Sequence, residues 1–160
     1  MQPGDIGFLS KRGDIIASLI RFAERRKYGD VAASHYNHVF MCVDVDGTIV
    51  EALPSGVTVG NVSKYAGEDF VLKTPPYAPG EAANAVAAMR ASVGDGYGFL
   101  TFVSVALTLM TGTRLRFGLA GTEICSGAAA DALTRANVDC GEDETFDTPA
   151  DLYALVKWTA

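Results

Sequence analysis

The residues best suited to chemistry in this sequence are one cysteine, one histidine and one glutamate, at Cys125, His38 and Glu51. A cysteine nucleophile needs a neighbour that holds or takes its proton, and a third group often orients that neighbour. Cys125 lies at the start of an alanine-rich run, residues 125–136, with high helix propensity. Because the first turn of a helix carries partial positive charge and unpaired N–H groups, it favours the thiolate of a cysteine there. Cys125 is therefore the candidate nucleophile.

The other two cysteines are weaker candidates. Cys42 lies in the apolar run 39–43, where burial keeps a thiol neutral. Cys140 precedes an acidic segment, residues 142–144, whose charges oppose a second anion. The alternative interpretation of Cys125 is a small, inert core residue on the buried face of a helix. Three widely spaced cysteines form neither a disulfide framework nor a zinc-ligand pattern, and we expect no metal and no cofactor.

His38 directly precedes one run of strand-forming residues, and Glu51 lies within the next. The first run covers 39–43 and the second 48–53, and the segment that joins them ends in Asp-Gly. Two such runs around an Asp-Gly turn predict a β-hairpin. The candidate histidine and the candidate carboxylate are therefore expected on adjacent antiparallel strands.

The length of the hairpin loop decides whether these two side chains can meet. A two-residue turn would put Glu51 opposite Cys42, about 13 Å from His38 along the strand. A four-residue loop, residues 44–47, would instead leave Glu51 diagonal to His38, at about 7 to 8 Å between backbones. A carboxylate can reach an imidazole from there. The alternation of side chains also places His35 off that face, which favours His38 over His35.

Periodicity and turn signals predict the other elements. Apolar residues recur at helical spacing over 14–26, and an alanine-rich helix is expected over 79–92. Short apolar runs at 6–9 and 69–74 predict strands, and a capped helical turn is expected at 148–152.

Length and composition bound the class of protein. At 160 residues the chain is long enough to bury a core, and we expect a single domain over residues 1–160. Hydrophobic residues make up 49% and charged residues 20% of the chain, which is typical of a globular protein and excludes a disordered one. The net charge of -6 argues against nucleic acid and anionic membranes as partners, since their binding depends on clustered Lys and Arg.

The sequence also predicts where the protein resides. The first residues show no basic region followed by an apolar segment, so we expect no secretion signal and a cytoplasmic protein, bacterial or phage-encoded. The longest apolar run, residues 99–110, has about 12 residues against the roughly 20 that a bilayer span needs. We therefore expect a buried helix there and no transmembrane segment.

The order His, Glu, Cys and the motifs around these residues resemble the circularly permuted branch of the NlpC superfamily of papain-like cysteine peptidases. That superfamily also contains the lecithin:retinol acyltransferase-like enzymes. The matching pieces span almost the whole chain in the family's order. They are Pro3-Gly-Asp-Ile6, Asn37-His-Val39, Asp46-Gly-Thr-Ile-Val-Glu-Ala52, Ile124-Cys-Ser126 and Thr148-Pro-Ala-Asp-Leu152.

This resemblance implies an α+β fold of the papain-like, circularly permuted kind, in which an antiparallel sheet packs against the helix that carries the cysteine. It implies that Cys125 is the nucleophile, His38 the general base and Glu51 the orienting residue. The implied activity is that of a cysteine hydrolase, which cleaves amide bonds of small, cell-wall-like peptides through an acyl-enzyme.

Two positions depart from the family's motifs. The cysteine motif continues as Cys125-Ser-Gly-Ala128 where Cys-Ser-Glu-Leu is usual, and His38-Val39 is followed by Phe40-Met41 where a small residue and Ile are common. We expect the first to reshape the groove beside the nucleophile and the second to narrow it.

The alternatives to an amidase are an acyltransferase or thioesterase acting on lipid-like acyl groups, and an inactive module that binds a peptide, lipid or protein.

Overall fold

The structure is a computed structural model that describes residues 1–10, 22, 25, 35–97, 122–123, 125–140 and 148–155. Within these residues the fold is α+β, with a five-stranded antiparallel sheet and several helices. The strands are β1 (Ile6–Ser10), β2 (His38–Cys42), β3 (Thr48–Leu53), β4 (Gly56–Asn61), β5 (Asp69–Lys73), β6 (Gly96–Tyr97) and β7 (Thr122–Glu123). The helices are α1 (Glu81–Ala91), α2 (Cys125–Thr134) and α3 (Pro149–Leu155), with a 3-10 helix (Val62–Tyr65) between β4 and β5.

The five strands of the sheet follow the order β4-β3-β2-β1-β5, so β2 lies at its centre. Every neighbouring pair is antiparallel. His38 pairs with Leu9 of β1, and Cys42 pairs with Ile49 of β3. The short strands β6 and β7 form a separate parallel pair that the sequence did not predict.

The loop between β2 and β3 has four residues, 44–47. Val43 N donates to Thr48 O at 2.9 Å, which closes the hairpin around that loop. Asp46 Oδ1 accepts from Thr48 N at 3.0 Å and from Thr48 Oγ1 at 2.6 Å, as Asp commonly does in turns. Gly47 has a φ of 95°, a conformation that residues with a Cβ rarely adopt. Of the two loop lengths considered, the structure therefore has the one that leaves Glu51 diagonal to His38.

Side chains alternate across the sheet and divide the core into two layers. One face packs against α1 and α2, and the other packs against the 3-10 helix and the outward side chains of β5. The first layer contains Ile6, Phe8, Val39, Met41, Val50, Met89, Ala129 and Leu133. The second contains Leu9, Phe40, Cys42, Ile49 and Tyr65.

Helix α2 lies close to the sheet because its buried side chains are small. Ala128, Ala129, Ala130 and Ala132 are all at most 3% exposed, and the helix packs against β2 and β3. Alanine has the highest helix propensity and needs little room between a helix and a sheet. The helix therefore brings its first residue, Cys125, to the central strands.

Several predicted elements match the structure in position. The strands at 6–9 and 69–74 appear as β1 and β5, and the helix at 79–92 appears as α1. At 148–152, Asp151 accepts from Thr148 N and Oγ1 at 3.0 and 2.9 Å, which caps α3.

Two predicted helices fall mainly or wholly outside the described residues. Of 14–26, residues 22 and 25 alone are described, and both are helical, whereas 99–110 lies outside altogether. No helix in the described part of the chain is both long enough and apolar enough to cross a bilayer.

Candidate active site

Glu51 occupies an interior position of β3 and its side chain is fully buried. Its Oε2 atom lies 2.7 Å from Nε2 of His38, the first residue of β2. This hydrogen bond follows from the four-residue hairpin loop, since His38 and Glu51 then share one face of the sheet. A buried carboxylate is stable only with such partners.

Cys125 approaches this pair from a part of the chain that is distant in sequence. It is the first residue of α2 and 5% exposed, and it lies close enough to His38, which is 7% exposed, to help raise the pKa of the imidazole. Because His38 stands at the end of its strand, its ring is accessible from the helix that packs across the sheet. The structure therefore brings the three candidate residues into one connected group.

The partners of His38 favour its protonated form. Burial alone would lower the pKa of the imidazole, but the interaction with Cys125, the hydrogen bond that the ring donates to Glu51 and the negative charges of the two groups outweigh it. The pKa of His38 is raised from 6.5 to about 9. At neutral pH the ring is therefore mostly an imidazolium placed between a sulfur and a carboxylate.

Glu51 has two further partners that the sequence analysis did not identify. Lys64 Nζ forms an ion pair with Oε1, and the hydroxyl of Tyr65 donates to Oε2. Burial would raise the pKa of Glu51, but the hydrogen bond and charge of His38, together with Lys64 and Tyr65, lower it to about 2. The carboxylate is therefore ionised throughout the physiological range.

Lys64 and Tyr65 lie on the 3-10 helix that follows β4. The side chain of Asn61 begins this helix by accepting from Ser63 N at 3.0 Å. Strand β4 ends at Asn61, opposite Thr48 of β3, and the 3-10 helix that follows turns back so that Lys64 and Tyr65 contact Glu51. The sequence contains one indication of this contact, Gly60, since a glycine inside a strand often marks the close approach of another group.

Tyr65 is held in place by aromatic packing. Its ring stacks on Phe40 with centroids 5.8 Å apart and an interplanar angle of 17°, and its centroid is 6.2 Å from that of His38. Burial, the hydrogen bond to Glu51 and the charges of Glu51 and Cys125 all raise the pKa of Tyr65. The phenol is therefore a proton donor to Glu51 at any working pH.

Phe40 packs behind this group, in the core layer with Tyr65. The ring is fully buried and lies across Gly7 of β1, where an added Cβ would overlap it. Its other aromatic neighbour is Phe70, at 6.0 Å. Phe40 therefore supports the ring of Tyr65 from the core side.

The remaining histidine and cysteines have other surroundings. His35 Nε2 lies 2.8 Å from Asp69 Oδ2, and both side chains are about half exposed. Cys42 is fully buried, and burial together with the charge of Asp5 raises its pKa to about 12. The thiol of Cys140 donates to the carbonyl oxygen of Val138 at 3.6 Å.

Across the described ranges no group of three or more His, Cys, Asp or Glu residues is arranged to hold a metal ion. No protein-family model matches the sequence, and comparison with curated proteins gives no significant match.

Proposed function

We propose that the protein is a cysteine hydrolase that cleaves amide bonds through an acyl-enzyme. The observation that carries this proposal is the chain of contacts from Cys125 to His38 to Glu51. In this chain Cys125 is the nucleophile, His38 exchanges the proton, and Glu51 orients the ring of His38. Each residue has the chemistry and the neighbours that its role requires.

Acylation begins from the thiolate–imidazolium pair. The sulfur of Cys125 attacks the carbonyl carbon of the substrate, and the backbone N–H of Cys125 stabilises the developing oxyanion. Because Nε2 of His38 is bound to Glu51, Nδ1 is the nitrogen available to the sulfur and the substrate. The proton on Nδ1 passes to the leaving amine as the C–N bond breaks, which leaves an S-acyl cysteine and a neutral imidazole.

Deacylation returns the site to its starting state. Neutral His38 takes a proton from a water molecule as the water oxygen attacks the thioester carbon. The C–S bond then breaks, releasing a carboxylic acid and the Cys125 thiolate beside the imidazolium. Hydrolysis therefore needs no cofactor.

We further propose that the protein is a circularly permuted, papain-like member of the NlpC superfamily. The support is the order of the parts: histidine and glutamate on neighbouring antiparallel strands, followed by cysteine at the start of a helix on the sheet. By this resemblance the substrates are small peptides, such as fragments of bacterial cell wall.

Thiol alkylation tests the proposed activation of Cys125. At neutral pH, iodoacetamide is expected to modify Cys125 at least about 10-fold faster than Cys42 or Cys140, because the thiolate is the reactive form. Peptide mass spectrometry resolves the three sites, and His38→Asn should remove most of the difference. Equal rates at all three cysteines in the wild type would exclude an activated nucleophile.

Turnover tests the reaction itself. Peptidoglycan fragments and acyl-thioesters should be compared as substrates of the wild type and Cys125→Ala, with intact mass used to detect the S-acyl intermediate. Release of amine from the peptide by the wild type alone supports the amidase. Faster turnover of the thioester would favour the acyl-transfer alternative, and equal product from both proteins would contradict both.

A further inference from the structure

Each oxygen of the buried Glu51 carboxylate has a charged or hydrogen-bonding neighbour. Oε2 accepts from His38 Nε2 at 2.7 Å and from the Tyr65 hydroxyl, and Oε1 forms the ion pair with Lys64. These groups come from β2 and from the 3-10 helix. Glu51 thus has two cationic partners, the imidazolium of His38, which takes part in the proposed reaction, and the ammonium group of Lys64, which does not.

His38 changes its charge during the proposed reaction, whereas Lys64 does not. When His38 gives its proton to the leaving group, Oε2 loses its cationic partner. An ionised carboxylate that is fully buried without a cation is strongly unfavourable, and it would instead retain or attract a proton. That outcome would change the orientation and basicity of the imidazole in the middle of the cycle.

We propose that Lys64 is the permanent counter-ion that keeps Glu51 ionised while His38 is neutral, and that the Tyr65 hydroxyl fixes the direction of the carboxylate. Both are positioning residues, since they act on the reaction through Glu51. Their role in catalysis rests on the proposed hydrolase function. They come from a segment that none of the sequence motifs covers.

The surroundings of Lys64 are shaped for this contact. A Cβ at Gly60 of β4 would lie 3.2 Å from Lys64 Nζ and 3.3 Å from Glu51 Oε1, so the glycine leaves room for the ion pair. The ammonium group also lies 5.0 Å from the centroid of the Tyr65 ring, within the range of a cation–π contact. The lysine side chain is 37% exposed, so its stem lies at the surface while its charge points into the core.

The titration of the His38 ring, followed by NMR, tests the proposal without reference to activity. The sequence has two histidines, so His35→Gln assigns the signals. Lys64→Met leaves the whole charge of Glu51 to His38, and the midpoint of His38 should rise by about 0.5 to 1 pH unit. Lys64→Arg should leave the midpoint near the wild-type value. Lys73→Met is the matched control, because it removes the same charge from β5.

A midpoint that stays unchanged or falls in Lys64→Met overturns the proposal, as does an equal rise in Lys73→Met. Where turnover is measurable, Lys64→Met and Tyr65→Phe should each lower kcat by about 10-fold with little change in KM, and Lys64→Arg should restore it. If Cys125→Ala retains full turnover, the hydrolase function fails and takes the catalytic role of Lys64 with it. If turnover depends on Cys125 but not on Lys64, only the present inference fails.

A double-mutant cycle keeps the test decisive if Lys64→Met folds poorly. Urea unfolding should show a large loss of stability for Lys64→Met in the wild type and a much smaller one in the Glu51→Gln background, since the charge to be neutralised is gone. A variant that is unfolded alone but folded with Glu51→Gln supports the proposal in the same way. Equal losses in both backgrounds would overturn it.

Discussion

Glu51 Oε2 and His38 Nε2 lie 2.7 Å apart, although the two residues are not paired across the strands. Cys42 is opposite Ile49, and the same register continued along β2 and β3 puts Glu51 diagonal to His38. The contact therefore depends on side chains that lean along the strands as well as on the register. It converts a histidine at the end of a strand into a cation with a fixed orientation.

Glu51→Gln should make His38 a weaker base. The amide keeps the shape and one hydrogen bond but removes the charge that stabilises the imidazolium, so the pKa of His38, about 9 in the wild type, should fall by about 1 to 3 units. NMR titration of the ring measures the change. Alkylation of Cys125 at neutral pH should slow in parallel, because fewer molecules then hold the imidazolium beside the sulfur.

The matched control for this variant is Asp69→Asn. It removes the same charge from the carboxylate that contacts His35, at 2.8 Å, and should leave the His38 midpoint in place. A Glu51→Gln protein whose His38 still titrates near pH 9 would show that Cys125, and not Glu51, sets the charge of the ring.

The free energy of unfolding should depend on pH through the same pair. The pKa of His38 is raised from 6.5 to about 9, so its contribution is complete below pH 6.5 and lost as pH rises through about 9. The pKa of Glu51 is lowered from 4.5 to about 2, so its contribution is complete above pH 4.5 and lost as pH falls through about 2. The pair therefore stabilises the fold most between pH 4.5 and 6.5.

Urea unfolding near pH 6 and near pH 9.5 measures the alkaline loss. The wild type should lose more stability between these values than His38→Asn. Cys42 adds its own loss above pH 9, since burial raises its pKa to about 12, but that loss is common to both proteins. Parallel curves for the two proteins would assign the loss to groups other than His38.

The sequence predicted the parts of the site that depend on local pattern. Cys125 was placed by helix propensity, and the two strands that carry His38 and Glu51 were placed by their composition around an Asp-Gly turn. The loop length was not decided by sequence, because both a two-residue and a four-residue loop are compatible with that turn. The closing hydrogen bond from Val43 to Thr48 distinguishes them.

Lys64 and Tyr65 were not predicted because their role depends on tertiary contact. Neither residue type is unusual after a strand, and none of the sequence motifs covers this segment. The pairing of β4 with β3 brings the 3-10 helix over Glu51, and sequence pattern alone does not give that pairing. Similarly, the short parallel pair of β6 and β7 joins segments about 25 residues apart with no local signal.

Gly7→Ala should disturb the packing of Phe40 against Tyr65 on the core side of the site. The added methyl group would overlap the buried ring of Phe40, which stacks on Tyr65 and contacts Phe70. Overpacking of this kind typically costs about 1 to 3 kcal/mol. We expect a loss of stability in that range, measured by urea unfolding, together with a shifted His38 midpoint because Tyr65 moves.

Phe40→Leu provides the control for this overlap, since the smaller side chain gives the methyl group room. The double variant should therefore be more stable than the sum of the two single losses indicates. Additive losses would show that the backbone at Gly7 moves instead, and that Phe40 does not transmit the strain.

Gly60→Ala should separate the function of the ion pair from the stability of the fold. Its Cβ would lie 3.2 Å from Lys64 Nζ and 3.3 Å from Glu51 Oε1, and the lysine tip is the group that can move. Alanine also loses less conformational entropy than glycine in a strand, so stability should change by no more than about 1 kcal/mol. Displacement of the ammonium should nevertheless raise the His38 midpoint and lower kcat, in the same direction as Lys64→Met.

Val59→Thr, at the exposed neighbouring position of β4, should alter neither the His38 midpoint nor kcat. A Gly60→Ala protein with lower stability but unchanged His38 titration and kcat would mean that the glycine serves only the packing of β4.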